Sequence, residues 1–394
     1  MKKLRGMTWD HERGVAPLLA ATQEFNKLNP DVTITWDKRP LKDFEDFPVE
    51  ILAEKFDIIM VDHPFTGEVV NKSVLIPLDD WLPKEFLEDQ AKHSVGASHA
   101  SYNMENKQWA LAVDAASQVS AYRNDLVQKL NISIPKNWKE VFELAKYLLG
   151  GKIKVAIPLN PTHSFSSFVT LCANLSNANF WDESKGINYE IGVESLYNLK
   201  ELAALVHPLS IEMDPIQTLN LMSSTNEIAY VPLVFGYINY SIDGFAKHVI
   251  TFADIPSDQK QPVGAMLGGV GLAVSSSSKY KNEAVKFAAL VGSADFQKGL
   301  YFESGGQPGH RLAWEDEKVN SKCNNFFKNT INTIDRSFMR PRFPGYNIFQ
   351  KKAGQLINHF LKNGGNVKEV MKKINNLYVE NVQLLYMREY QKLV

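Results

Sequence analysis

The sequence predicts an α/β protein with two doubly wound lobes joined by a multi-strand hinge, and with helices at its C-terminal end. Three observations predict this fold class. A chain of 394 residues is too long for one ordinary hydrophobic core and suits two lobes. Residues 4–61 alternate strand and helix patterns, which is typical of a doubly wound sheet. Residues 108–149 combine an apolar run, an Asp-bearing turn, an alternating strand and an amphipathic helix, which indicates a crossing between lobes.

The first lobe begins with a predicted strand at residues 4–9. The next helix starts near Pro17, since proline is favoured in a first helical turn. Apolar residues at helical spacing continue it to Leu28, and Asn29-Pro30 ends it. Alternating apolar residues at 32–36 predict a second strand. The following elements are a helix marked by Phe44, Phe47, Ile51 and Leu52, and a continuously apolar central strand at 56–61.

Beyond a hinge predicted at residues 113–117, the same alternation continues in a second lobe. A polar segment with two prolines, residues 256–262, predicts the return crossing, and the glycine-rich residues 305–309 predict the final departure. The first lobe is therefore predicted to comprise residues 1–113 and 263–305, and the second residues 114–262 and 306–394. The elements predicted after the hinge are strands at 152–158, 227–234 and 264–275, and helices at 138–149, 164–175, 194–206, 279–291, 295–301, 321–334, 347–361 and 367–393.

Composition and motifs exclude several classes of function. The formal net charge of −1 provides no overall field for nucleic acid or an anionic membrane. Cys172 and Cys323 form no CxxC pair, and no Cys-His cluster has zinc-site spacing. Gly269-Val270-Gly271 lacks the third glycine of a dinucleotide fingerprint, and no Walker loop or nucleophile elbow occurs. We therefore expect no cofactor, no metal ion and no nucleic-acid partner.

Polar and aromatic residues follow three predicted strands of the first lobe. In open α/β sheets, ligands bind beyond the carboxyl ends of the strands. Carboxylates and guanidinium groups hydrogen-bond hydroxyls, and an indole covers the C–H face of a sugar ring. The sequence therefore predicts a carbohydrate-like solute here. The candidate residues are Trp9, Asp10, His11 and Arg13 after the first strand, Asp62 and His63 after the third, and Asp114 after the strand that enters the hinge.

The second lobe is expected to supply an opposing wall. Phe165 lies where a predicted helix opens after a strand, and Phe235 and Tyr237 follow the strand at 227–234. In the first lobe, Gly268 and Gly269 would let the backbone approach the ligand closely. Further candidates for the hinge side are Arg340 and Arg342.

Structural alternatives stand beside these assignments. A catalytic or metal-binding cluster of Asp10, Asp62 and His63 is one of them, because spacing in the sequence does not exclude it. The others are core packing for Trp9, Phe235 and Tyr237, capping for Asp10, loop ordering for His63, a hinge hydrogen bond for Asp114, and a surface ion pair with Glu12 or Glu50 for Arg13.

Three segments, in this order, resemble the bacterial extracellular solute-binding proteins, family 1, of carbohydrate-type ABC importers. They are residues 108–149, the strand LGGVGLAVS at 267–275 with the helix after it, and RPRFPGY at 340–346. With the first βαβ unit, the likeness covers nearly the whole chain. The resemblance implies a periplasmic-binding-protein fold whose lobes close by a hinge around the solute, an ABC permease as partner, and an aromatic for sugar stacking at Phe235-Gly236-Tyr237. We expect a monomer that is not an enzyme.

The resemblance implies a periplasmic or extracellular protein. However, the basic start Met1-Lys2-Lys3-Leu4-Arg5 is followed by polar residues 8–13 and not by the apolar stretch of a signal peptide, so the cytoplasm is the alternative. The predicted function is solute binding for an ABC importer. Arg13 with His11 and His63 extends the predicted solute to an acidic sugar. The alternative function is a cytoplasmic enzyme or ligand sensor on the same two-lobed scaffold.

Overall fold

The computed structural model describes residues 1–41 and 49–383. These residues form two compact units, each with its own hydrophobic core. Unit 1 comprises the described parts of Met1–Ala116, Gly268–Cys323 and Arg340–Arg342. Unit 2 comprises those of Ser117–Leu267, Asn324–Met339 and Phe343–Val394. Unit 1 thus keeps residues 306–323, which the sequence-based division gives to the second lobe. That division stays a prediction about which parts move together, because compactness alone does not test it.

Short strands and many helices make up both units. The strands β1 to β12 are Lys2–Trp9, Val32–Arg39, Ile58–Val61, Asn103–Met104, Lys107–Gln108, Leu111–Tyr122, Lys154–Val155, Trp181–Asp182, Gly186–Ile187, Ile228–Phe235, Thr251–Ala253 and Leu267–Val274. The α-helices are Glu12–Leu28, Val49–Ala53, Thr66–Lys72, Lys84–Lys92, Asn124–Leu130, Trp138–Leu148, Pro161–Leu175, Tyr189–Leu205, Pro215–Ser224, Lys281–Gly292, Ala294–Phe296, Arg311–Trp314, Glu317–Lys322, Phe326–Asp335, Tyr346–Asn363 and Val367–Tyr378. Among the described residues, no helix combines the length and apolarity that a bilayer span requires.

The sheet of unit 1 has the strand order β2-β1-β3-β12. The first three strands are parallel, and β12 runs antiparallel to β3, with Gly271 opposite Val61. All four residues of β3 are buried, as expected of a central strand covered on both faces. The helix Glu12–Leu28 covers one face through Leu18 and Phe25. Because the carboxyl ends of β1 and β3 meet at one edge, the turns after them lie in the same unit.

Unit 2 is built around β10, which pairs antiparallel with β6 and parallel with β7. Its core is dominated by two long helices, Pro161–Leu175 and Tyr346–Asn363, which pack closely. Gly354 makes this approach possible, since a Cβ there would lie 2.3 Å from the carbonyl oxygen of Pro161. β6 and β12 each begin in one unit and end in the other, with boundaries at Ala116–Ser117 and Leu267–Gly268.

Several sequence-based predictions of elements are wrong. β6 runs without interruption through Asp114, so the predicted Asp-bearing turn does not form; Arg13 binds the carboxylate in the interior and the strand continues. The helix predicted at 321–334 is broken because Asn324 and Asn325 adopt positive φ angles of 49° and 57°, which asparagine tolerates. The strand predicted at 152–158 shortens to β7. Phe44, Phe47 and the predicted helical residues 384–393 lie outside the described residues.

Candidate functional site

The turn after β1 joins the strand to the helix Glu12–Leu28. His11 is the N-cap of that helix, and its Nδ1 accepts a hydrogen bond of 3.0 Å from the backbone N–H of Arg13. Burial, with the nearby Arg13 guanidinium, lowers the pKa of His11 to about 4. Asp10 is exposed and pairs with Lys38 at 2.8 Å. Trp9 is 2% exposed and its indole lies against Gly14, so this predicted sugar platform is a core side chain in the structure.

Arg13 and Asp114, both predicted as ligand residues, bind each other. Arg13 Nε donates to Asp114 Oδ2 at 2.8 Å, and Arg13 Nη2 donates to Asp114 Oδ1. Both side chains are almost fully buried. Burial raises the pKa of Asp114, and the Arg13 guanidinium opposes that shift. The surface ion pair considered for Arg13 is therefore not formed with Glu50, which binds Lys72.

Gly269 approaches the same place from β12. Its φ is +91°, and a Cβ there would lie 2.3 Å from the carbonyl oxygen of Asp114. Both features require glycine. The close approach that the sequence assigned to a ligand is thus made to the backbone of β6. Gly268 and Gly269 nevertheless keep some accessible surface.

The turn after β3 contains a second buried ion pair. Asp62 Oδ1 accepts a hydrogen bond of 2.8 Å from the backbone N–H of His63, and Arg340 Nη2 lies 2.7 and 2.8 Å from the two carboxylate oxygens. Burial raises the pKa of Asp62, but Arg340 and His63 outweigh it and bring the value to about 2. His63 is fully buried, with Nδ1 3.3 Å from Asp62 Oδ1. Burial and Arg340 lower the pKa of His63 to about 4.

Tyr102 lies next to this pair, and sequence analysis missed it. Its hydroxyl donates to the carbonyl oxygen of Val61 at 3.0 Å, and its ring meets that of His63 edge to face. Burial raises the pKa of Tyr102 well above its ordinary value, and the charges of Asp62 and Asp114 add to the effect. Tyr102 follows no strand of the main sheet, so the rule based on strand ends could not select it.

Arg340 and Arg342 belong to unit 1 although their neighbours in the chain belong to unit 2. Arg342 Nη1 donates to the carbonyl oxygens of Ala100, Ser101 and Asn103 at 3.1, 3.1 and 2.6 Å. These bonds hold the segment in place beside Tyr102. The sequence analysis considered both arginines for the hinge side, and the partner of Arg340 turns out to be a predicted ligand residue.

Unit 2 contains the three predicted aromatic residues. Phe165 is fully buried and meets Phe349 edge to face at 5.6 Å between ring centroids. Tyr237 is also buried. Phe235 keeps accessible surface, and its ring lies 5.8 Å from that of His163. Of the three, Phe235 is the one that can offer a ring face to a ligand without a rearrangement of the core.

The N-terminus of the helix Pro161–Leu175 was predicted to offer amides to a ligand. Asn160 caps this helix, and its Oδ1 accepts a hydrogen bond of 3.0 Å from the backbone N–H of His163. Pro161, the first helical residue, has no N–H to donate. The first turn is therefore partly satisfied by the chain itself.

The structure therefore sorts the twelve predicted residues into two groups. The buried ones are Trp9, Arg13, His63, Asp114, Phe165 and Tyr237. Those with accessible surface are Asp10, His11, Asp62, Phe235, Gly268 and Gly269. A surface groove of about 520 Å³ in unit 2, lined by residues that include Tyr122, Asp254 and Lys328, contains none of the twelve.

Comparison with known proteins decides the family. Residues 8–298 match the family described as bacterial extracellular solute-binding protein, which is well over half of the chain. The chain belongs to this family. The resemblance predicted from three segments of the sequence is confirmed, and solute binding, the general function predicted, is the property for which the family is named.

Solved structures of solute-binding proteins have the same fold. A maltose-bound protein of T. maritima, MalE3, is 17% identical with a TM-score of 0.82, over 95% of this chain and 98% of that one. An ABC transporter solute-binding protein of Agrobacterium vitis S4 with bound D-mannitol is 17% identical with a TM-score of 0.80, over 100% and 99%. One from Agrobacterium radiobacter K84 with ribitol is 19% identical with a TM-score of 0.81, over 97% and 98%. The predicted α/β fold class is confirmed.

Proposed function

We propose that this protein is the substrate-binding component of an ABC importer and binds a carbohydrate-like solute, a sugar or polyol, without converting it. The observation that carries the proposal is the family match over residues 8–298. The whole-chain likeness to proteins with bound maltose, D-mannitol and ribitol supports the solute class. The proposal places the protein outside the cytoplasmic membrane, as a monomer that delivers its solute to a permease.

The contact residues are proposed from burial and charge. Asp10, His11 and Asp62 present polar atoms at the ends of β1 and β3, where hydroxyl groups can bind. Phe235 supplies an accessible ring for the apolar face of a sugar. The Arg13–Asp114 pair fixes the backbone around those groups, because a buried bidentate pair has few alternative geometries. Trp9, His63, Phe165 and Tyr237 support the site from the core, and Gly268 with Gly269 forms its floor.

A neutral solute fits these charges better than an acidic one. The guanidinium of Arg13 is neutralised by Asp114, and that of Arg340 by Asp62. His11 and His63, with pKa values of about 4, carry no charge near neutral pH. The three cationic groups that motivated an acidic ligand from sequence therefore provide no net positive charge. A neutral sugar or polyol needs none.

The same groups argue against a hydrolytic enzyme. A general acid needs a pKa near the working pH, and the pKa of Asp62 is about 2 while Arg340 binds both of its oxygens. His63 is buried and uncharged. Asp10 pairs with Lys38 at the surface, away from a second positioned acid or base in the pair it forms. These observations support binding without catalysis.

Hinge closure, which the family resemblance implies, is part of the proposal. A solute shifts a protein toward a closed state only if it gains free energy there that the open state does not provide. We expect small-angle X-ray scattering to give a smaller radius of gyration with solute than without it. An unchanged radius at saturation would contradict closure while leaving solute binding intact.

The proposal is tested by a thermal-shift screen with neutral sugars, polyols and sugar acids. We expect a higher melting temperature with at least one neutral sugar or polyol. The bound compound is then incubated with the protein and followed by proton NMR, and we expect it to remain unchanged. Consumption of the compound that is abolished by Asp62→Ala would overturn the proposal and support the enzyme alternative.

A further inference from the structure

Unit 1 contains a cluster of three side chains that lies outside the candidate solute site. Asp89 and His93 stand one turn apart at the end of the helix Lys84–Lys92, and His310 comes from a distant segment of the chain. His93 Nδ1 lies 2.9 Å from Asp89 Oδ1, and His310 Nε2 lies 3.2 Å from Asp89 Oδ2. One carboxylate is thus shared by two imidazoles. All three potential ligand atoms lie within 4.8 Å of one another.

The backbone holds the two histidines in register. Ser94 and His310 form an isolated antiparallel bridge, and the backbone N–H of Arg311 donates to the carbonyl oxygen of His93 at 2.8 Å. Arg311 Nε adds a bond of 3.0 Å to the carbonyl oxygen of Ser94. The imidazole rings stack with centroids 5.0 Å apart and an interplanar angle of 28°. The three groups are therefore positioned by the fold and not by chance contact of mobile side chains.

Accessibility differs between the three groups in a way that suits an ion. The His310 side chain is 1% exposed, that of His93 21% and that of Asp89 44%. His310 Nδ1 is buried without a hydrogen-bond partner among the described residues, and Nε2 is the ring nitrogen that faces the cluster. The inner side of the cluster is thus closed by His310. The outer side is open to water, which can complete a coordination shell.

We infer that Asp89, His93 and His310 form a binding site for a divalent transition-metal ion such as Zn²⁺. Imidazole nitrogen suits zinc, copper and nickel, whereas calcium and magnesium prefer a full set of oxygen ligands. Two imidazoles and a carboxylate with one or more open positions is a known ligand set for such ions. An ion would replace the shared hydrogens, and each neutral imidazole would carry its remaining hydrogen on the ring nitrogen that does not bind the metal.

Such a site does not depend on solute binding. It includes none of the twelve predicted ligand residues, and its effect would be to tie the helix Lys84–Lys92 to the segment around His310 within unit 1. The sequence-based expectation of no metal ion would then be wrong. Sequence spacing could not reveal the site, because Asp89 and His93 at i and i+4 are common on helices and His310 lies far along the chain.

The test is a Zn²⁺ titration of the full chain after treatment with a chelator, by calorimetry and by thermal unfolding. The variants are Asp89→Asn and His93→Gln, since both side chains are partly exposed and the variants should fold. His359→Gln, at an exposed histidine on the helix Tyr346–Asn363, is the matched control. We expect one zinc ion per chain, a higher melting temperature with zinc, and affinity that falls about 10-fold or more in both variants but not in the control.

Mg²⁺ in place of Zn²⁺ is expected to produce no shift in melting temperature. Zinc binding that is as tight in both variants as in the wild-type chain would overturn the assignment, because the ion would then be bound elsewhere. An absence of zinc binding to the wild-type chain would also overturn it, and the three groups would then be a hydrogen-bonded cluster only. Neither result would affect the proposed solute binding, which uses other residues.

Discussion

Arg13 and Asp114 form a buried, two-bond ion pair between the helix that follows β1 and the strand β6. The two residues are far apart in the sequence, and each was predicted to contact the ligand. Their pairing means that each neutralises the other. It also explains why β6 continues through an aspartate that the sequence suggested would form a turn.

Removal of one partner should therefore be costly. We expect Asp114→Asn to lower the free energy of unfolding by about 3–5 kcal/mol, because the Arg13 guanidinium would be left buried without a counter-charge. The matched control is Asp10→Asn, which breaks the exposed pair with Lys38 and should cost about 1 kcal/mol or less. Chemical denaturation of both variants measures the difference. Equal stabilities for the two would show that the buried pair is not structural.

Gly269→Ala tests the close approach of β12 to β6. A side chain at Gly269 would require a left-handed backbone and would place Cβ 2.3 Å from the carbonyl oxygen of Asp114. We expect a loss of stability of at least about 1–3 kcal/mol, measured by denaturant unfolding. Gly150→Ala is the control, since nothing lies within 4 Å of its Cβ position. A Gly269→Ala chain as stable as the Gly150→Ala chain would contradict this packing.

The buried histidine in the β3 turn predicts a dependence of stability on pH. Burial and Arg340 lower the folded-state pKa of His63 from 6.5 to about 4, so folding favours the neutral ring. Stability from this group is present above about pH 6.5 and is lost as pH falls toward 4, by roughly 3 kcal/mol in total. Melting temperatures between pH 7.5 and 4, at intervals of about half a unit, measure it.

In that series, His63→Phe should show a shallower fall than the wild-type chain, since the phenyl ring cannot gain a proton. His11, whose pKa is also about 4, retains its own contribution in the variant. His359→Phe, a change at an exposed histidine, should leave the slope as it is. A wild-type slope in His63→Phe would mean that this ring does not titrate as described.

The two phenylalanines of unit 2 should separate binding from stability. Phe235 is partly exposed, so Phe235→Ala should weaken sugar binding and leave the fold largely intact. Phe165 is fully buried, so Phe165→Ala should lower the free energy of unfolding by about 3–5 kcal/mol. Calorimetry and thermal unfolding of both variants distinguish the effects. An unaltered dissociation constant in Phe235→Ala would remove Phe235 from the proposed site.

Local patterns allowed much of the fold to be predicted from sequence. The continuously apolar run before Asp62 predicted the buried strand β3, and alternating residues at 32–36 predicted β2. Burial at the strand ends could not be predicted in the same way. A tryptophan or arginine after a strand reads alike whether it faces solvent or packs inward, and the difference depends on partners such as Gly14 and Asp114 that are distant or share no pattern.

The partner of Asp62 illustrates the same limit. Arg340 is far along the chain, in a three-residue segment of unit 1 that lies between stretches of unit 2. No periodicity or turn signal places such a short segment. The resemblance of RPRFPGY to a family segment drew attention to the arginine, but the ion pair with Asp62 required the structure.

Calorimetric titration of the full chain with maltose, D-mannitol, ribitol and glucuronic acid tests the central claim most directly. The account predicts saturable binding of one solute per chain for at least one of the neutral compounds, and weaker or no binding of glucuronic acid. Binding of glucuronic acid with no neutral sugar or polyol bound, in this set or in a wider neutral panel, would contradict the neutral solute class. An absence of binding by any compound of that panel would contradict carbohydrate binding itself.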